Sequence, residues 1–285
     1  MTGWFACGLG ALLLMGTQRF LYKVAAERSC DTMVTTFTFM ATVTVMSALA
    51  FFAGGAGVED VRLLLLLGLA NSLAFLVATS THIEALKRLP AATVYPLVRL
   101  DAVLVVIISL IFFDERLAGF QGIGVIVAAV AAILVARDRN RNREGITPRR
   151  GGFLFVAIAI LAGTAAAVSS RFAVLHTDKT AFMTVSYGLS TLCALVTGSL
   201  HRTGAGRNLC PSLFIGVSMG LLNVVGYYAY LEALSRGPLS LVTVITGMHF
   251  VIAVIFSLIV YRERLTPACF TGIVLAMLSL ILIRS

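Results

Sequence analysis

Glu84-Ala85-Leu86-Lys87-Arg88-Leu89-Pro90, followed by an apolar run and then Glu115-Arg116-Leu117, recurs as Glu232-Ala233-Leu234-Ser235-Arg236-Gly237-Pro238 and Glu263-Arg264-Leu265. Glu84 to Glu232 and Glu115 to Glu263 are both steps of 148 residues (232 − 84 and 263 − 115), so the copies align without a gap. One module has been written twice. The fold therefore follows from what a single copy is and how the second copy sits against it.

Of the 285 residues, 59% are hydrophobic and only 12% charged, and the mean hydropathy is +0.97. Such a chain has too little polar surface to cover a soluble globule, so it belongs in a bilayer. The net charge of +9 does not indicate a nucleic-acid partner, because much of the excess sits in one stretch holding Arg137, Arg139, Arg141, Arg143, Arg149 and Arg150. A basic loop beside apolar spans instead marks a cytoplasmic face. The five cysteines show no CxxC spacing and fall mostly within or beside apolar runs. They read as small packing residues, and neither a metal nor a cofactor is expected. Met1-Thr2-Gly3-Trp4 lacks a basic leader, so the first apolar run is expected to be a retained first helix.

A bilayer-crossing helix needs about 20 mostly apolar residues. Charge clusters and Gly/Pro punctuation cut the chain into spans near 3–22, 33–53, 61–83, 91–113, 118–136, 152–174, 180–200, 211–233, 239–260 and 266–284. The expected fold is an all-α integral membrane protein with ten transmembrane helices. Residues 1–136 form the first five-helix repeat, 137–151 a basic linker and 152–285 the second repeat. Odd-numbered loops carry 14 Lys and Arg residues against 5 in the even-numbered loops and tail, which puts odd loops in the cytoplasm and both termini outside. With five spans per copy, the second repeat must be inserted upside down. Inverted repeats of this kind are the signature of secondary transporters with a substrate site between the repeats.

Two stretches carry a family resemblance: Ala85-Leu86-Lys87, Glu115-Arg116-Leu117 and Gly124, then Ala233-Leu234, Glu263-Arg264-Leu265 and Gly272. The pattern resembles the EamA domain of the drug/metabolite transporter superfamily, present as two copies over the whole chain. The resemblance implies a ten-helix carrier of small metabolites or drugs, driven by an ion gradient or by exchange. Many such proteins have a proline near the middle of the fourth and ninth helices, where this chain has Ala102 and Phe250. Pro96 is the residue available to break the fourth helix, and Gly247 the one to loosen the ninth.

The fourth span holds Arg99 and Asp101 near its midpoint, and the repeat offset carries Asp101 onto His249. An ionisable group at that depth costs roughly 2.5–3.5 kcal/mol on insertion scales, which keeps it away from lipid and makes it a candidate site residue. Arg99 and Asp101 lie about 200° apart around a helix, so the two are not expected to face one narrow cavity together. Tyr95 shares a face with Arg99, and a hydroxyl beside a guanidinium suits a carboxylate or phosphate. Histidine changes charge near neutral pH, so His249, with Asp101, is the candidate proton-coupling site. The alternative for His249 is a neutral ring bonded to a neighbouring backbone group.

Asn71 in the third span and Asn223, Tyr227 and Tyr230 in the eighth add polar and aromatic candidates, the last three falling at i, i+4 and i+7 on one face. Ser186 and Tyr187 in the seventh span are weaker ones. Arg19 with Glu84, and Arg171 with Glu232, are candidate gate pairs on opposite faces, against the simpler reading that the arginines snorkel. The small residues of Ala162-Gly163-Thr164-Ala165-Ala166-Ala167 suggest close helix packing and no chemistry. Glu115-Arg116 and Glu263-Arg264 read as helix-end anchors. Together these features point to a secondary active transporter of a small solute in the cytoplasmic membrane, working by alternating access with protons or exchange, as a monomer or weak dimer among lipids. A lipid-directed carrier or flippase is the second reading and a non-transporting scaffold the third. An enzyme is disfavoured, because no nucleophile with a base, metal spacing or phosphate-cradling loop is present.

Overall fold

The computed structural model describes residues 3–28, 30–55, 57–89, 94, 97–98, 100–139, 151–200, 209–261 and 267–284, and within them it is helical with no strand. The helices are α1 (Gly3–Glu27), α2 (Thr32–Gly54), α3 (Val61–Arg88), α4 (Leu100–Phe112), α5 (Gly119–Arg139) and α6 (Gly152–His176). They are followed by α7 (Lys179–Leu200), α8 (Leu209–Arg236), α9 (Leu239–Gly247), α10 (His249–Tyr261) and α11 (Pro267–Arg284). Among the described residues, six stretches are long and apolar enough to cross a bilayer, one of them Leu239–Tyr261, which takes in both α9 and α10. The ninth span is thus a helix broken at Met248. The break lies two residues before Phe250, the position at which many members of the resembling family have a proline. Gly247, not proline, precedes it.

Local chemistry starts the helices where the sequence switches from polar to apolar. Asp31 caps α2, its carboxylate accepting from the N–H groups of Met33 at 2.9 Å and Val34 at 3.0 Å. Asp60 caps α3 through Leu63 N–H at 3.0 Å, and Asp178 caps α7 through Ala181 N–H at 2.9 Å. Each acid removes one of the unpaired donors at a helix start and favours the positive end of its dipole. α9 is different. Its N-cap is Pro238, which offers no side-chain acceptor.

The helices pack as two interlocked copies. α1 lies on α8 as α3 lies on α6, α2 lies on α8 as α7 lies on α3, and α1 meets α9 and α10 as α6 meets α4. The pairs α2–α7 and α5–α11 map onto themselves when the copies are exchanged, and the fourth span meets the ninth through α4 and α9. This is the contact pattern of two five-span repeats about a pseudo-two-fold axis. Leu66, Phe52, Phe120, Phe214, Ile126 and Ile281 are among the many apolar side chains pointing outward, as lipid-facing surfaces require.

Candidate functional site

The spans crossing near the pseudo-two-fold enclose a cavity of about 280 Å³. α1 presents Met15, Gln18, Arg19 and Tyr22 to it, at the i, i+3, i+4, i+7 spacing of one helical face. Asn71 and Phe75 come from α3, Asp101 from α4, Val125 and Ala128 from α5, and Ser186, Tyr187 and Ser190 from α7. α8 adds Asn223, Tyr227 and Tyr230, and the broken ninth span adds Thr243, Thr246, Gly247 and His249. Asn71, Asp101, Asn223, Tyr227, Tyr230 and His249, read from sequence as candidates on four separate spans, therefore line one cavity. Tyr95 and Arg99 lie outside the described residues.

Asp101 sits in the first described turn of α4, with Oδ1 accepting from the N–H of Ala102 at 2.7 Å. Its other oxygen lies over Gly163, where a Cβ would stand 3.3 Å away. The small stretch of α6 has more than a packing role: Gly163, Ala166 and Ala167 are cavity wall, and their missing side-chain volume is part of the space. Thr164 on the same helix donates weakly to the Asp101 carbonyl at 3.4 Å.

His249 opens α10 just past the break, and its Nδ1–H donates to the carbonyl of Thr246 at 2.7 Å. That carbonyl is one of those freed where α9 ends. With Nδ1 donating to that carbonyl, a second proton on the ring would sit at Nε2.

Asn71 is fully engaged. Its amide N–H₂ donates to Ala166 O at 2.9 Å and to the hydroxyls of Ser169 and Ser170 at 3.0 Å, while its Oδ1 accepts from Ser186 at 2.8 Å. Ser170 in turn bonds the Tyr227 hydroxyl at 3.1 Å. One asparagine thus ties α3, α6 and α7 together, with α8 joined through Tyr227. Asn223 donates to Gln18 Oε1 at 2.9 Å, linking α8 to α1. An aromatic wall completes the site: Tyr187 meets Tyr227 edge-on at 5.6 Å between centroids, and Tyr227 stacks on Tyr230 at 5.7 Å.

In this structure the candidate gate residues contact the following groups. Glu84 accepts from Arg88 at 2.9 Å, one turn along its own helix, and Arg19 lines the cavity with its guanidinium 5.7 Å from the Tyr22 ring. Glu232 is paired with Lys179 and Arg236, while Arg171 donates to the carbonyl of Gly237 at 2.9 Å. Glu84 and Glu232 each take an arginine one turn along their own helix, and Glu232 also takes Lys179 from the start of α7. Glu115 likewise does more than anchor a helix end. Its carboxylate accepts from the backbone N–H of Leu239, from Ser240 N–H at 3.0 Å and from Ser240 Oγ at 2.6 Å. Glu263 lies outside the described residues.

Sequence reading missed Gln18, Tyr22 and Ser170 in the cavity. Gln18 and Tyr22 carried a signal in their spacing with Arg19; Ser170 is a small hydroxyl in an apolar run and carried none. Among the described residues, no group of three or more His, Cys, Asp or Glu side chains is placed to hold a metal ion.

Comparison with known proteins bears on the whole chain. No curated protein matches it significantly in sequence. A solved crystal structure has the same fold, with a TM-score of 0.79 over 99% of this chain and 98% of that one, at 17% identity. The model of the EamA-like transporter family matches twice, over residues 2–137 and again over 149–285. With both halves matched and a membrane-embedded helical fold on the page, the chain belongs to the EamA-like transporter family, a group of membrane transporters in the drug/metabolite transporter superfamily.

Proposed function

We propose that this multi-pass membrane protein is a secondary transporter that carries a small polar or amphipathic solute through the central cavity by alternating access. The two repeats, 1–136 and 152–285, rock against each other about the pseudo-two-fold axis. The observation that carries this reading is the cavity itself, lined by both copies at the level where Asp101 and His249 stand at equivalent repeat positions. Its aromatic wall and many hydroxyls favour a solute with both apolar and hydrogen-bonding parts. A discontinuous helix at the cavity, the α9–α10 break, is the feature secondary carriers use to bring backbone groups to midplane sites.

We assign proton coupling to His249 and Asp101. A proton taken up on His249 Nε2 and one on Asp101 change the charge of the cavity in the same direction, so loading and release of solute can be tied to the pH gradient. The cytoplasmic membrane, with the basic linker inside and both termini outside, is the proposed location. The test is flux of a panel of metabolites into proteoliposomes, with and without a pH gradient, for the wild type, His249→Gln and Asp101→Asn. Wild-type flux stimulated by the gradient, and loss of that stimulation in His249→Gln, is the expected result. Full activity with an unchanged pH profile in His249→Gln eliminates the histidine from coupling.

A further inference from the structure

We propose that the Glu115 carboxylate is a latch: it closes the face of the protein carrying the 114–118 turn and must let go of α9 once in every transport cycle. The proposal rests on the carrier reading above and adds the contact that governs closure.

The sequence leaves α9 with a problem. Pro238 precedes it, and proline has no side-chain acceptor for the unpaired N–H groups of the first turn. Such groups are costly to leave unmet beside apolar surroundings. The acceptor is supplied by Glu115, more than a hundred residues earlier and in the other repeat. Its two oxygens take the N–H of Leu239, the N–H of Ser240 and the Ser240 hydroxyl. A negative charge at a helix N-terminus is held by the dipole as well as by these bonds. Asp114, in the left-handed region at φ 49°, reverses the chain after α4 and turns Glu115 toward α9. Arg171 of α6 completes the cluster. It donates to Gly237 O at 2.9 Å, two residues before the capped turn, and lies within Coulombic reach of Glu115.

The position of α9 makes this cap more than a helix-end contact. α9 is nine residues long, a rod of about 14 Å. Its far end is the Met248 break, and its inner face carries Thr243 and Thr246 into the cavity. One end is a hinge and the other is held by a carboxylate from the opposite repeat. Releasing Glu115 frees the rod to swing on Met248 and opens the cavity toward the 114–118 face; re-forming the cap closes it. The same bonds would weld the repeats permanently if they never broke.

Two arms test the idea in protein whose five cysteines are replaced by serine. In the first, Thr243→Cys is labelled by a membrane-impermeant maleimide applied to the 114–118 face. With Glu115→Gln in the same chain, labelling is expected to be about tenfold faster, as loss of a charged cap implies; Ser240→Ala gives a smaller rise. An unchanged labelling rate in both overturns the latch. In the second arm, Glu115→Cys and Ser240→Cys are joined by a short bis-methanethiosulfonate reagent in proteoliposomes. Flux stopped by the link and restored by reduction is the expected result. Full flux in linked protein overturns the latch and leaves the carrier reading intact. Should the unlinked protein move no solute, the carrier reading is what fails, and the labelling arm still decides the latch.

Discussion

At Gly16 the backbone of α1 comes so close to α10 that a Cβ would stand 2.5 Å from Ile252 Cβ and 2.8 Å from His249 O. A backbone oxygen cannot step aside as a side-chain tip does. Gly16→Ala should therefore cost about 1–3 kcal/mol of stability. Gly10→Ala, in the same helix with nothing within 4 Å of its Cβ, should be neutral or slightly stabilising. Thermal unfolding of both variants in one detergent checks the contrast, and equal losses would refute it. The same contact sits beside His249 O, so Gly16→Ala should also disturb the site. Single residues of this kind are read from sequence only where burial is expensive. Asp101 and His249 stood out because charge inside an apolar span is rare. Gly16 did not, since one glycine among many small residues says nothing about which neighbour it touches.

Asn71 joins three helices through four hydrogen bonds, which makes it the polar centre of the α3–α6–α7 contact. Interhelical hydrogen bonds in membranes average about 0.6 kcal/mol each by double-mutant cycles. Asn71→Leu is accordingly expected to lower stability by about 1–2 kcal/mol, read as a lower midpoint in thermal unfolding; an unchanged midpoint would show the network to be incidental. The α9–α10 break gives a prediction of opposite sign. At Gly247 an added Cβ meets nothing within 4 Å, and alanine improves on glycine in a helix by about 1 kcal/mol. Gly247→Ala should hold or raise the unfolding midpoint while slowing transport, because it favours a continuous ninth helix over a hinged one. Equal turnover in the two proteins would argue against a hinge at Met248. Helix extents were legible because charges and Gly/Pro bound each apolar run. The cap on α9 was not: Glu115 and Ser240 are far apart in sequence, and no local pattern links an acid in one turn to a helix start in the other repeat.

Across the whole molecule, exchange of the copies carries α1–α8 onto α6–α3 and leaves α2–α7 and α5–α11 in place. The equal step of 148 residues at Glu84 and Glu115 anticipated that arrangement, because equivalent segments of a duplicated chain can bury equivalent faces. What it did not give is the full set of partners at equivalent sites: Glu84 with Arg88 recurs as Glu232 with Arg236, but Glu232 also takes Lys179, where the first copy has Asp31. The proposed orientation rests on charge alone. The N-terminal start of α1, the 55–60 loop, the 114–118 turn and the α6–α7 and α8–α9 turns belong to the same side of an alternating ten-span chain, and that side carries 5 of the loop and tail cations against 14 on the other. In the proposed orientation the face sealed by Glu115 is external. Gly57, exposed with open space around it, reports this directly. In a cysteine-free chain, Gly57→Cys should react with an impermeant maleimide on intact cells, whereas Arg143→Cys in the basic linker should react only after permeabilisation. The reverse pattern would turn the protein over in the membrane, making Glu115 the cytoplasmic latch and reversing the direction in which its release admits solute.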